Sequence, residues 1–255
     1  MRNFKMILQY EGTRYQGWQR QESTDNTIQG KLETLLSKMT GQKIEVQGSG
    51  RTDAGVHALG QVAHFHADTD MTPEEMLKYM NFYLPEDVGV IELKEVSERF
   101  HSRLNAKGKT YCYRVVNADL PHVFDRRYVH EEKEPLDIEA MRKAANYLMG
   151  THDFKAFTSN KRSKKSTVRT IDSIQIEQVV STSLTMTGKA DEIQFVYSGN
   201  GFLYHMVRIL TGTLLEVGKH KRKPEDIAEI LASGNREMAG ELAPAKGLTL
   251  VEVRY

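Results

Sequence analysis

Residues 48–67, GSGRTDAGVHALGQVAHFHA, place an acid and a base two positions apart, Asp53 and Arg51. Three glycines bracket them: Gly48, Gly50 and Gly55. Glycine permits positive φ angles and close approach of a second backbone, at an entropic cost of roughly 0.5 to 1 kcal/mol inside regular structure. The segment therefore predicts a tight loop that holds a carboxylate and a guanidinium rigidly, and glycines that leave room for another backbone.

Two other interpretations of this loop depend on the residues that follow it. A phosphate-binding loop needs a Lys-Ser/Thr pair or a G-x-G-x-x-G turn that opens a helix, and neither is present. Alternatively, Thr52 or Asp53 caps a short helix through AGVHAL, a common role for these residue types. The loop alone leaves a chemical and a structural role open.

Three histidines follow the acid: His57, His64 and His66. A metal site is disfavoured because no carboxylate cluster lies nearby and the single cysteine, Cys112, excludes a cysteine-based zinc site. We expect these histidines to be packed or hydrogen-bonded on a sheet, and we predict no metal ligand.

The second half of the chain contains two further candidates, Tyr111 and Arg208. Tyr111 and Tyr113 alternate in KTYCYRVV, so they share one strand face, with Arg114 opposite. An aromatic face beside basic loops can hold an unstacked base, although strand tyrosines are also common in cores.

Arg208 lies in SGNGFLYHMVRILTGTLLEVG, which predicts a helix over about 202–217. The predicted inward stripe is Leu203, Met206, Val207, Leu210, Leu214 and Val217. Arg208 falls off this stripe. An arginine in a mostly apolar helix tends to have a carboxylate or phosphate partner, because burying an unpaired guanidinium is costly; the alternative is an exposed arginine on the helix surface.

Basic residues are concentrated in two segments, although the formal net charge is only +1. The segment 161–169, KRSKKSTVR, contains no acid and five cations: Lys161, Arg162, Lys164, Lys165 and Arg169. The segment 219–223, KHKRK, is similarly one-sided. Either could be a solvated loop, and the pair together favours a nucleic-acid partner.

Length and composition predict a soluble globular protein of one large or two ordinary domains, with 255 residues, 39% hydrophobic and 27% charged. The single cysteine cannot form an internal disulfide and fits a reducing cytoplasm. The sequence predicts no signal peptide, and no apolar run approaches the roughly 20 residues of a membrane span.

Periodicity predicts the element order β-α-β-β-α-β in the first half. The predicted elements are a strand at 4–10, a helix ended by Gly41, strands at 44–47 and 61–66, a helix at 73–83 and the strand VGVIELKEV. The second half repeats this order, with an extra helix at 224–232 and the last strand LTLVEVRY. We therefore predict an α+β protein of two consecutive ferredoxin-like units, 1–105 and 106–255, with antiparallel sheets joined across a central RNA-binding cleft.

Together these motifs resemble the tRNA pseudouridine synthase A family over nearly the whole chain. The resemblance is carried by YEGTRYQGWQRQ, GSGRTDAGVHALGQVAHF, FHSRLNAKGKTYCYRV, GTHDFKAFTS, STVRTI, GNGFLYHMVRILTGTLLEVG and APAKGLTLVEVRY. It implies an enzyme that converts uridine to pseudouridine in RNA without a metal, a cofactor or an energy source.

The resemblance also implies residue roles. Asp53 matches the catalytic nucleophile, which attacks either the ribose or the uracil ring. Tyr111 matches the tyrosine that stacks on the target base, Arg208 the arginine paired with the aspartate, and Arg51 the residue that helps to expel the base from its stack.

The implied partners are tRNA, modified at position 38, 39 or 40 of the anticodon stem-loop, and a second copy of the chain in a homodimer. TSNKRSKKS is more basic than the family pattern, so a paralogue acting on another RNA, such as rRNA, stays open. A non-catalytic RNA-binding protein on the same scaffold is disfavoured, because binding alone needs no nucleophile.

Overall fold

The computed structural model describes residues 1–119, 122–160, 165–180 and 192–255, which divide into two compact units. The first unit contains Met1–Lys107 and Thr249–Tyr255, and the second contains Gly108–Leu248. The sequence-based division places the last strand in the second unit. The structure groups it with the first, because Thr249 and Leu250 pair with His57 and Ala58 there.

In the described residues, the first unit contains five strands and two helices. These are β1 (Arg2–Tyr10), α1 (Ile28–Thr40), β2 (Gln47–Gly48), β3 (His57–Ala67), α2 (Pro73–Tyr83), β4 (Val88–Val96) and all but the first residue of β10 (Leu248–Arg254). The strands lie in the order β4-β1-β3-β10, and β2 pairs with β3. The β3–β10 pair is parallel, whereas the sequence predicts only antiparallel pairing.

Local sequence explains why these elements begin and end where they do. The Thr27 side chain accepts a hydrogen bond from the Gly30 N–H at the start of α1, and Gly41 ends the helix in the left-handed conformation. Thr72 and Glu75 form a reciprocal capping box at α2. From Phe4 to Tyr10 in β1, side chains alternate between buried and more exposed.

In its described residues, the second unit contains five strands of its own. Its elements are β5 (Gly108–Asn117), β6 (His130–Glu132), α3 (Ile138–Asn146), β7 (Gly150–Asp153), β8 (Val168–Val179), β9 (Glu192–Gly199), α4 (Met206–Gly218) and α5 (Asp226–Ser233). The strands lie in the order β5-β9-β8-β7 with antiparallel pairs, and β6 pairs parallel to β5.

The structure adds to and shifts the predicted elements. The short strands β6 and β7 carry only three and four residues and were not predicted, because periodicity needs a longer segment. Helix α4 begins at Met206, four residues later than predicted, after His205 adopts a φ of 64°. The fold is a mixed α/β structure with five α-helices in the described residues, none of them long and apolar enough to cross a membrane.

Candidate active site

The loop between β2 and β3 presents its side chains alternately outward and inward. Arg51 is exposed, Thr52 is buried and Asp53 is half-buried. The chain then turns at Ala54 and Gly55 and enters β3, so no helix follows the acid and the helix-cap interpretation is wrong. The inward turn of Thr52 leaves its two neighbours on the more accessible side of the loop.

Hydrogen bonds to the interior of the first unit hold this loop in place. The hydroxyls of Thr52 and Tyr10 lie 2.8 Å apart in the interior, and the Trp18 N–H donates to the Thr52 carbonyl over 3.0 Å. The Gln61 amide donates to the Gly50 carbonyl over 3.1 Å. Backbone and side chain of Thr52 are therefore both tied to neighbouring segments.

The glycines of the loop serve the packing of the chain itself. A Cβ on Gly48 would lie 2.6 Å from the Trp18 ring. Gly55 adopts a φ of 77°, which the turn requires and side chains rarely tolerate. Each of these two glycines therefore has a reason within the chain itself, and the expectation that the glycines of the loop admit an approaching RNA backbone stays a prediction.

Arg51 is oriented by a neighbour. Its Nε donates to the Gln19 side-chain oxygen over 2.8 Å at the surface. Gln19 lies in YEGTRYQGWQRQ, so two of the motifs that carry the family resemblance meet here. This hydrogen bond orients the Arg51 side chain, while the guanidinium stays exposed at the surface two positions before Asp53 in the sequence.

Tyr111 lies on β5, opposite Tyr197 of β9. Its ring is 8% exposed and meets the Phe202 ring edge-on, with centroids 5.3 Å apart and an angle of 87° between the planes. This contact fixes the orientation of the ring within a largely buried surface. The aromatic neighbour comes from the turn that leads into α4.

Tyr113 is buried on the same strand face, as the alternation predicts. It is fully inaccessible, and its hydroxyl donates to the Pro244 carbonyl over 2.8 Å. Arg114 alternates with it and forms two hydrogen bonds, of 2.8 and 2.7 Å, to the Glu192 carboxylate. Tyr113 is therefore a core residue and Arg114 a structural ion-pair partner.

Arg208 is half-buried on α4 and is held by a backbone carbonyl. Its Nε donates to the Ala243 oxygen over 2.7 Å, and the Ala243 N–H donates back to the Arg208 carbonyl over 3.2 Å. The fully exposed alternative is thus wrong. α4 is buried on more sides than the predicted stripe, since Ile209, Thr211 and Thr213 are also inaccessible.

The two basic segments differ in their surroundings. In 219–223, Lys219 lies 2.9 Å from Glu132 and Lys221 lies 2.7 Å from Glu134. This segment is largely paired with acids, which favours the structural interpretation.

In the other segment, Lys165 is exposed and Arg169 is half-buried. An Arg169 Nη donates to the carbonyls of Ser166 and Val168, and burial lowers the pKa of this guanidinium. Lys161, Arg162 and Lys164 lie outside the described residues.

The histidines near the loop are packed and hydrogen-bonded. His57 accepts a hydrogen bond from the Gly12 N–H, and His64 Nδ1 accepts one from the Ser102 N–H. Burial and the neighbouring His101 and His66 lower the pKa of His64 to about 4. Within the part of the chain that the structure describes, no group of three or more His, Cys, Asp or Glu side chains could hold a metal ion.

The predicted site residues come from both units. Asp53 and Arg51 belong to the first unit, and Tyr111, Lys165, Arg169 and Arg208 belong to the second. The sequence reasoning missed Tyr10, Trp18 and Gln61, which hold the loop. Tyr10 was predicted only as a strand end, and no local pattern pairs it with a residue 42 positions away.

Known proteins resemble the chain over most of its length. The sequence model of a family described as tRNA pseudouridine synthase matches residues 6–105 and 144–255. A Clostridium tetani protein called tRNA pseudouridine synthase A 1 is 50% identical over 255 residues, covering all of both chains. The tRNA pseudouridine synthase A of a Bacillus strain, KSM-64, is 48% identical over 256 residues, with the same full coverage.

Solved structures show a more distant likeness. One chain of a Cbf5-Nop10-Gar1 complex aligns with 88% of this chain and 43% of its own length, with a TM-score of 0.33 and 11% identity. That likeness is too distant to bear on the fold.

Proposed function

This chain belongs to the tRNA pseudouridine synthase family, and we propose that it isomerises uridine at position 38, 39 or 40 of the tRNA anticodon stem-loop, with Asp53 as nucleophile. Uridine and pseudouridine contain the same atoms. The glycosidic C–N bond breaks, a C–C bond forms, and one proton moves from ring carbon to ring nitrogen. The reaction needs no oxidant or co-substrate, but the base must be detached, turned and held.

The observation that carries the assignment of Asp53 is the alternation at 51–53. Thr52 is tied into the interior, so the half-buried carboxylate next to it has a fixed backbone and a route to solvent. A covalent bond from Asp53 to the ribose or to the uracil ring would keep the two halves of the nucleoside together during the rotation. Arg51 would help to expel the base from its stack.

Tyr111 and Arg208 complete the proposed chemistry. The Tyr111 ring would stack on one face of the base as the base turns. The edge-on contact with Phe202 fixes the orientation of this ring. Arg208 would favour the ionised form of Asp53, as a nearby cation does for any carboxylate. The hydrogen bond from Arg208 Nε to the Ala243 carbonyl holds this side chain in place.

The single thiol of the chain is a poor competing nucleophile. Burial raises the pKa of Cys112 to about 11, so the thiol stays protonated near neutral pH. Thiolate, not thiol, is the reactive form. A carboxylate nucleophile remains the better choice.

We also propose that each unit follows a ferredoxin-like arrangement and that the enzyme works as a cytoplasmic homodimer. The element order of the first unit, β1-α1-β2-β3-α2-β4, supports the former. The dimer and the compartment follow from the family resemblance, and sedimentation of the purified protein would test the dimer.

Mapping pseudouridine tests the substrate. We expect cellular tRNA from cells without this protein to lose pseudouridine at position 38, 39 or 40, and the purified enzyme to restore it on unmodified tRNA. Loss confined to rRNA would instead identify a paralogue with another substrate. Unchanged RNA in every class would leave only a binding function.

Replacing the basic residues Lys161, Arg162, Lys164 and Lys165 by glutamine is expected to weaken tRNA binding and flatten its salt dependence. Each phosphate contact releases counterions, so losing up to four contacts reduces the slope of log K against log salt by roughly 1 to 3. Binding at several salt concentrations measures this. The rate at saturating tRNA should persist.

A matched control is available in the other basic segment. Lys219 and Lys221 are paired with Glu132 and Glu134, so their replacement by glutamine should leave the salt slope unchanged. If the quadruple variant also keeps the original slope, residues 161–165 form a solvated loop with no role in RNA binding.

A further inference from the structure

A buried polar network lies directly under the loop that carries Asp53. It consists of Tyr10, Gln61, Ser49 and Thr52, which are all nearly inaccessible. The Gln61 amide donates to the Gly50 carbonyl and, over 3.4 Å, to the Tyr10 hydroxyl, while its oxygen accepts from the Ser49 hydroxyl over 2.8 Å. Tyr10 in turn bonds Thr52. The network therefore reaches the residue immediately before Asp53.

We propose that Gln61 and the Tyr10–Thr52 hydrogen bond are positioning elements for isomerisation, which hold the 49–53 loop so that Asp53 meets the reacting nucleoside. This rests on the proposed role of Asp53. Gln61 forms hydrogen bonds to the loop at Ser49 and Gly50, and Tyr10 forms one at Thr52. The two attachments therefore lie on either side of the exposed Arg51. Buried, fully bonded networks of this kind specify a single local geometry.

The network suits positioning better than proton transfer. Burial raises the pKa of Tyr10 to about 12, so its hydroxyl stays neutral across the pH range in which the enzyme would work. Gln61 and Thr52 do not titrate in that range either. The nearest titratable side chains on the loop are Arg51 and Asp53 themselves, and His57 on β3 is engaged by the Gly12 N–H.

Placement explains why such a role can have a large kinetic effect. A misplacement of about 1 Å, caused by a change away from the reacting atoms, can cost about 100-fold in rate. The Gln61 side chain is fully buried, so an RNA bound at the surface of the loop would not touch it. Its loss should therefore slow the reaction and spare tRNA binding.

The test compares Gln61→Met, which keeps the side-chain volume and removes its hydrogen bonds, with Asn81→Leu as control. Asn81 bonds the Val90 backbone on the α2–β4 side, and neither of these hydrogen bonds involves a residue of the network. Single-turnover conversion of an unmodified tRNA transcript is expected to slow about 10- to 100-fold in Gln61→Met and less than about twofold in Asn81→Leu. The dissociation constant for tRNA should change less than about threefold.

Two further readouts separate positioning from general destabilisation. The pH profile of Gln61→Met should keep the wild-type shape at a lower rate. Thr52→Ser should act like wild type because it keeps the hydroxyl, whereas Thr52→Val and Tyr10→Phe should each be slow. The double variant Tyr10→Phe/Thr52→Val should be no slower than Tyr10→Phe alone, since Tyr10→Phe already removes the bond to Thr52 along with the one from Gln61.

The positioning role is overturned if folded Gln61→Met reacts at the wild-type rate, or if its rate loss equals its loss of folded protein by circular dichroism. Asp53→Asn, measured in the same assay, separates the two proposals. Full activity of Asp53→Asn overturns the role of Asp53 itself. An inactive Asp53→Asn together with a fully active Gln61→Met overturns the positioning role alone.

Discussion

Asp53→Asn is expected to abolish uridine isomerisation, lowering the single-turnover rate by more than about 1,000-fold, as removal of a nucleophile does in other enzymes. The amide has nearly the same shape, so the bonds that hold Thr52 and the turn at Gly55 survive. What is lost is the negative charge and the ability to form a covalent bond. Binding of tRNA should stay within about tenfold of wild type.

The measurement is conversion of an unmodified tRNA at saturating enzyme, with affinity determined separately. Asp70→Asn is the matched control, because it removes one exposed carboxylate from the same unit without touching the loop. If Asp53→Asn turns over near the wild-type rate, Asp53 is not the nucleophile. If Asp70→Asn is equally inactive, the effect belongs to charge or folding instead of to the site.

The sequence could predict the Asp53 loop because its signals are local. Glycines and a central acid within eight residues indicate a tight loop wherever the rest of the chain lies. The loop's supports could not be predicted in the same way. Gly48 is required by the Trp18 ring, 30 positions away, and Thr52 is held by Tyr10. Such contacts depend on tertiary structure.

The elements follow the same division between local and long-range information. α2 matches its predicted bounds because Thr72, Pro73 and Glu75 fix its start chemically. The residues of β10 by themselves predict a strand. Its assignment to the first unit depends on parallel pairing with β3, which no local sequence pattern indicates. Arg208 is similar: its exposure depends on the distant segment that supplies the Ala243 carbonyl.

The two tyrosines of β5 show how burial decides between equivalent sequence candidates. Tyr111 and Tyr113 have the same residue type, strand and face, so the sequence ranks them equally apart from the family resemblance. In the structure Tyr113 is fully buried with its hydroxyl bound to Pro244, while Tyr111 keeps some exposure beside Phe202. This difference supplies a test with an internal control.

Tyr111→Phe and Tyr111→Ala are expected to fail differently. Phenylalanine keeps the ring that supports the base and loses only the hydroxyl, so it should slow turnover if that hydroxyl moves a proton. Alanine also loses a base contact worth roughly 1 to 3 kcal/mol, about 5- to 150-fold in affinity for the flipped base. It leaves a cavity beside Phe202 as well, so its folded fraction must be measured first.

The distinguishing measurement pairs the single-turnover rate with binding of an RNA that carries 5-fluorouridine at the target position. Both variants should turn over slowly, and only Tyr111→Ala should also bind the 5-fluorouridine RNA weakly. Tyr113→Phe removes a hydroxyl from the same strand face, at a fully buried position that substrate cannot reach. This variant should therefore isomerise uridine at the wild-type rate. Near-wild-type rates in both Tyr111 variants would place Tyr111 with Tyr113 among the core residues and leave Asp53 to act without an aromatic support at that position.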